Sequence, residues 1–268
     1  MKIRRTRGLT ILASISAAFL VGCGSGGSDS DVATFTDTSS FQPQKPVSDW
    51  QLVWSDEFDG SSINSRKWTL EANCDDDTNT EKQCFTENAE NAFIEDGVLN
   101  IVAKAAAEEA AKDYTSARLN TKNKGDFKYG RFEIRAQMPA GQGSWPEISM
   151  MPTDSVYGVW PNSGEIEIVE MDTINVPSHH IHGTLHYDNG DVSSTGKAYA
   201  MTDGAMPADG FHTYAVEWNE GEIRWYIDDY LYATQRKSDV VTNSKGESVG
   251  LRHQGWFAGG RHTGARAR

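Results

Sequence analysis

Glu165-Ile166-Glu167-Ile168-Val169-Glu170 is the stretch on which the reading of this chain turns. Its first four residues alternate between charged and apolar, the period of a strand with one face buried and one free. Alternation puts Glu165 and Glu167 on one face and Ile166 and Ile168 on the other. Glu170 breaks the pattern, because its offset from Glu167 is odd and a regular strand would turn it toward the apolar side. A β-bulge at Ile168-Val169 brings it back to the face of the other two glutamates. Carboxylates crowded in this way shift one another's pKa values, which separates a proton donor from a group that stays ionised. Taken by spacing alone, the same glutamates also fit a solvated strand face.

Similar alternation recurs on both sides. Gln51 to Trp54, Val98 to Val102 and Arg131 to Ala136 precede the stretch; Thr184 to Tyr187, Thr213 to Trp218 and Glu222 to Ile227 follow it. Gly, Asn, Asp or Pro separates these runs, so each reads as a short strand bounded by turns. Only Ala105 to Lys112 has a helical composition, and it reads as a surface loop or a single helical turn. No repeat is present. The pattern predicts an all-β sandwich of two antiparallel sheets in one domain.

The 268 residues carry a formal charge of −13, and losing Lys2, Arg4, Arg5 and Arg7 with an export leader takes this to −17. Such a chain repels nucleic acid and anionic lipid, while neutral sugars remain suitable partners. Residues 1–22 have the form of that leader, a basic start followed by an apolar run from Leu9 to Val21 that is short for a bilayer span. Leu20-Val21-Gly22-Cys23 resembles the lipobox of bacterial lipoproteins. That resemblance implies acylation of Cys23, a membrane anchor, and a place at the outer membrane or cell surface, since Gly24 is not the Asp of inner-membrane retention. Residues 23–48 are rich in Gly, Ser, Asp and Thr and read as a flexible tether. In an exported protein Cys74 and Cys84 are expected to form a disulfide, as neither His nor a third Cys lies near them.

Glycoside hydrolysis uses two carboxyl groups on one bond, one to protonate the leaving oxygen and one to attack or to activate water. Trp160-Pro161-Asn162-Ser163-Gly164 followed by Glu165 to Glu170 resembles the E-x-D-x-x-E signature of glycoside hydrolase family 16. Further segments match in family order: Trp54 to Gly60, Tyr114 to Leu119, Lys128 to Glu133, Gly141 to Pro146, His182 to Tyr187 and Trp225 to Asp228. The likeness is closest to the bacterial laminarinases and assigns residues 49–258 to a catalytic domain.

The resemblance implies a concanavalin-like β-jelly-roll with two curved antiparallel sheets and a β-glucan cleft on its concave face. Glu165 would be the nucleophile, Glu170 the acid/base, and Glu167 would stand for the central Asp. Trp145 and Trp160 would stack on glucosyl rings, His186 would lie near the acid/base, and Asn91 and Arg118 would bind the glycone. Glu57 and Gly97 fall where relatives hold a structural calcium; the chemistry itself requires no cofactor. The chain is expected to act as a monomer.

Three departures stand out. Glu167 is one methylene longer than Asp; Ser149, with Glu147 nearby, replaces a Trp in an apolar run; and residues 259–268 form a Gly/Arg-rich basic tail without a strand pattern. The sandwich is therefore expected to lack its last strands. Three outcomes follow for function: a retaining endo-glucanase, a glycan-binding or degenerate protein of the same fold, or a transglycosylase.

Overall fold

The computed structural model describes residues 1–6, 50–74, 81–173, 179–188, 192–237, 256–260 and 265–267. Cys23 and the tether lie outside them. The first strands are β1 (Lys2–Thr6), β2 (Trp50–Ser55), β3 (Thr69–Glu71), β4 (Gln83–Phe85), β5 (Ala92–Glu95), β6 (Val98–Ile101) and β7 (Lys104–Ala105). Next come β8 (Tyr114–Ser116), β9 (Arg118–Asn120), β10 (Gly130–Gln137), β11 (Glu147–Pro152), β12 (Glu165–Glu170) and β13 (His180–Asp188). The last are β14 (Val192–Ala200), β15 (His212–Trp218), β16 (Glu222–Ile227), β17 (Tyr230–Arg236), β18 (Trp256–Gly260) and β19 (Ala265–Ala267).

The expected all-β architecture is what forms. One large sheet runs β17-β16-β15-β10-β19-β6-β5, with β1 between β10 and β2, and the other runs β14-β13-β12-β11-β18-β9-β3. A small third sheet, β4-β8-β7, includes one parallel pair. Period-two sequence produces this layering. In β16, Ile223, Trp225 and Ile227 are buried while the residues between them are only partly so. In β13, Ile181, Gly183, Leu185 and Tyr187 face the core, which leaves His182, Thr184 and His186 on the opposite face. Phe132, Ile134, Tyr214 and Val216 of one sheet and Ile166, Ile168, Ile181 and Leu185 of the other belong to a single buried cluster. Each such side chain stabilises the fold by about 1.5–3 kcal/mol.

The Ala105 to Lys112 segment forms no helix. Its start belongs to β7, and the remainder is a turn in which the Ala110 N–H donates to the Ala107 carbonyl at 2.9 Å. Cys74 and Cys84 are disulfide-bonded, as expected.

Both chain ends depart from the sequence reading. The tail, 259–268, was expected to contribute no strands, yet its Gly259 and Gly260 end β18, which pairs with β11 and β9, and its β19 pairs with β10 and β6. A ladder is made by backbone N–H and C=O groups, so a Gly/Arg-rich segment fills a place whose neighbours offer free edges. The sandwich thus has strands where none were expected. At the other end, residues 1–6, expected to belong to a leader, are part of the fold. Strand β1 pairs with β2 and with Arg131 to Glu133 of β10, and Met1 and Ile3 enter the core at 5% and 1% exposure. It passes so close to β10 that a Cβ on Gly130 would lie 2.6 Å from the Arg4 carbonyl oxygen, which only glycine avoids.

Candidate active site

Strand β12 is central in its sheet, and its register contains the bulge. Against β13, Glu165 faces His186, Glu167 faces Thr184, and Glu170 faces His182. Three residues of β12 therefore span two of β13 between Glu167 and Glu170. Against β11 the slip lies between Ile148–Val169 and Ser149–Glu167. Ile166, Ile168 and Val169 are fully buried, so the extra residue is absorbed on the apolar side. Glu165, Glu167 and Glu170 share the opposite face.

Each carboxylate has its own partner from a different element. The Trp160 indole N–H donates to Glu165 Oε2 at 2.9 Å, from the loop that enters β12 through the cis Trp160–Pro161 bond. His186 Nε2 lies 2.7 Å from Glu167 Oε1. The Trp145 indole N–H donates to Glu170 Oε1 at 2.6 Å, from the loop before β11. Sequence comparison suggested the two tryptophans as stacking surfaces. Their polar edges hold carboxylates, and the two residues stay 37% and 46% exposed. His186 was expected beside the acid/base and is bonded to the central glutamate.

The electrostatics single out Glu170 and His186. Burial, then the charge of Glu167, pushes the Glu170 carboxyl up to about 7; the Trp145 hydrogen bond and His186 pull the other way. Burial pulls His186 down, but the hydrogen bond and charge of Glu167 outweigh it, so the imidazole keeps its proton above the usual range. The face thus offers a carboxyl that holds a proton near neutrality, beside an imidazole that holds its own more tightly than usual against Glu167.

Sequence reasoning missed the support beneath the bulge. The Trp225 indole N–H, from the other sheet, donates to the Glu167 carbonyl at 2.7 Å across the buried core. A Cβ on Gly183 would run into the Trp225 ring, so the glycine of β13 makes room for it. The Trp225 motif had been visible, but a contact between residues 58 apart leaves no local pattern.

The remaining expected residues do not gather here. Asn91 is a correction: it is 0% exposed, and its amide donates to the Val102 carbonyl and the Thr115 hydroxyl while accepting from Thr86. It braces a loop and has no donor left for a sugar. Arg118 does stand on the sheet of Glu165, three strands away through β11 and β18, or about 14 Å. It pairs with Glu71 at 3.4 Å, and its guanidinium covers the Phe85 ring. Leu119 is buried beside it, so Arg118 and Asn120 point to the side away from the core. Glu57 follows β2 and Gly97 lies in the β5–β6 turn, both on the other sheet. Glu57 Oε1 is 3.8 Å from the Lys2 ammonium, so this carboxylate already faces a cation while β1 is in place. Buried Ser149 and Glu147 flank β12 opposite Glu167 and Glu170.

A profile of the Glycosyl hydrolases family 16 matches residues 78–263, past the expected end of the domain at 258. The chain is 42% identical over 190 residues to a beta-glucanase of Rhodothermus marinus, covering 68% of this chain and 64% of that protein. It is 36% identical over 219 residues to glucan endo-1,3-beta-glucosidase A1 of Niallia circulans, covering 75% of this chain and 32% of that protein. The chain therefore spans about a third of one relative and just under two thirds of the other. The X-ray structure of the laminarinase from Rhodothermus marinus superimposes with a TM-score of 0.68 at 37% identity, covering 81% of this chain and 86% of that one. With more than half its length matched, on a sandwich shared with a solved laminarinase, this chain belongs to glycosyl hydrolase family 16.

Proposed function

We propose that this chain is a retaining endo-hydrolase of β-1,3-glucan or mixed β-1,3/1,4-glucan. The observation that carries the reading is the bulge that gathers Glu165, Glu167 and Glu170 on one face, with the Glu170 carboxyl pushed up to about 7. Glu170 protonates the glycosidic oxygen while Glu165 attacks the anomeric carbon and forms a glycosyl-enzyme. Glu170, now ionised, then takes a proton from water as that water releases the sugar. Glu167 and His186 form a charge pair beside both steps, and Arg118 lies toward the far end of the cleft. The test is release of new reducing ends from laminarin.

Buried Glu147 and Ser149, with Glu167 where the family carries Asp, favour a second reading as a glycan-binding protein without turnover. Retardation in a laminarin gel without product would decide for it. Transglycosylation would appear as lengthened products.

The alkaline limb of kcat/KM is expected near pH 7, because the step needs protonated Glu170. Rate then falls tenfold per pH unit above it. The Trp145 N–H stabilises the carboxylate, so Trp145→Phe raises the Glu170 pKa and moves the limb to higher pH. A limb that stays in place excludes Glu170 as the acid.

Trp225→Phe keeps most of the ring and removes the donor, leaving the Glu167 carbonyl without it. A buried unpaired acceptor costs about 1–3 kcal/mol. If Trp225 positions Glu167, kcat falls roughly tenfold with KM unchanged; a loss confined to Tm would make it structural only.

The proposal extends to the whole protein as an exported, monomeric lipoprotein anchored through acylated Cys23. Acylation is checked by the mass of the N-terminal peptide, and Cys23→Ser should release the protein from membranes. A structural calcium at Glu57 and the Gly97 carbonyl belongs to the same reading. These two supply only part of the six to eight oxygens calcium needs.

A further inference from the structure

We infer that Glu165, Glu167 and His186 form a binding site for a zinc-type divalent cation, and that the bound ion blocks the catalytic face. The site stands on geometry; only its inhibitory effect rests on the hydrolase reading. One potential ligand atom from each residue lies within 4.8 Å of the other two. Zinc takes oxygen at about 2.0–2.2 Å and imidazole nitrogen at about 2.0–2.1 Å, so tetrahedral ligand atoms stand roughly 3.3–3.5 Å apart. His186 Nε2 and Glu167 Oε1, now 2.7 Å apart, would need to open by less than an ångström. The third atom, at most 4.8 Å from the others, would close by up to about 1.5 Å to reach that spacing.

A second, independent observation points to a cation. Glu167 is 5% exposed, and its Oε2 is buried with no N–H donor among the described residues, while the Glu170 carboxyl hydrogen-bonds to Glu167. Crowding two buried acids in this way is costly, and a bound cation offsets the cost. Two carboxylates and an imidazole are the donor set of zinc, whereas calcium and magnesium favour oxygen alone. On binding, the ion replaces the proton between His186 and Glu167, which leaves to solvent, and His186 coordinates as the neutral ring. Water takes the fourth position. Side-chain length matters: Glu167→Asp retracts the carboxylate by about 1.5 Å, one C–C bond.

The test is calorimetric titration of the full chain with zinc chloride, with tryptophan fluorescence in parallel, since the Trp160 ring lies 5.8 Å from that of His186. One ion per chain should bind, quench fluorescence, and resist competition by excess calcium. Glu167→Asp and His186→Ala should each weaken binding by at least about tenfold. Laminarin hydrolysis should fall with the same midpoint and return with a chelator. No saturable binding up to about 1 mM, a ceiling of roughly 4 kcal/mol, overturns the inference. So does binding that survives both substitutions but is lost in His180→Gln/His182→Gln, which would assign zinc to the histidines at the start of β13. Because calorimetry needs no turnover, an inactive chain would sink the hydrolase reading and leave this test intact.

Discussion

Glu165→Gln is expected to lower reducing-end release from laminarin by about 10⁴-fold or more, the scale seen when a covalent nucleophile is removed. A carboxamide has nearly the shape of a carboxylate, and its oxygen still accepts the Trp160 indole N–H that now reaches Glu165 Oε2. The loop entering β12 should therefore stay in place. What the change removes is the negative charge and lone pair that bond to the anomeric carbon. Retardation of the variant in a laminarin gel should match the unchanged chain, because Trp145, Trp160 and the far end of the cleft are intact. Persisting hydrolysis would remove Glu165 from its role; loss of binding together with turnover would point to a folding defect. Glu170→Gln provides the contrast, since a substrate with a good leaving group needs little protonation and should recover part of the lost rate.

A chain that begins at Cys23 should melt roughly 10 °C or more below the full chain. Such a chain lacks β1, and with it Met1 and Ile3, which are 5% and 1% exposed. Two buried apolar side chains account for about 3–6 kcal/mol, and each kcal/mol moves Tm by about 2–4 °C at this size. The ladders to β2 and β10 go as well, together with the 3.0 Å ion pair from Arg4 to Glu133. Two strand edges are then open, which favours aggregation. Calorimetry on the two forms decides, and equal melting temperatures would mean that β1 adds nothing to the fold. Loss of Lys2 also frees Glu57, so a calcium at that position should raise the Tm of the shorter chain more than that of the longer one. On the proposed lipoprotein reading, export processing and retention of β1 would exclude each other, and the full and shortened chains would differ in stability.

Much of the sandwich was legible because alternation is local. Glu222 to Ile227 shows its buried face in its own letters, and the odd spacing from Glu167 to Glu170 called for a bulge before any partner strand was known. Pairing between distant segments was not legible. Lys2 to Thr6 reads as a basic leader, and nothing in those residues indicates that β10 and β2 leave a gap of matching length. Trp256 to Gly260 lacks alternation altogether, because a strand held by its backbone needs no side-chain code. Asn91 shows the limit of transfer by likeness: position suggested a sugar ligand, while three hydrogen bonds inside the protein occupy its amide. The roles of Trp145 and Trp160 were half legible, since an aromatic residue near a cleft suggests its face and hides the use of its N–H.

Trp225 gives the site an unusual dependence. Its indole belongs to the layer opposite the carboxylate row, yet its N–H reaches the carbonyl at the centre of that row. Sliding one layer over the other by an ångström would leave every glutamate present and still misalign the row. On the hydrolase reading, turnover would serve as a gauge of registry between the two halves of the molecule, and a partly assembled chain would stay silent until they mesh.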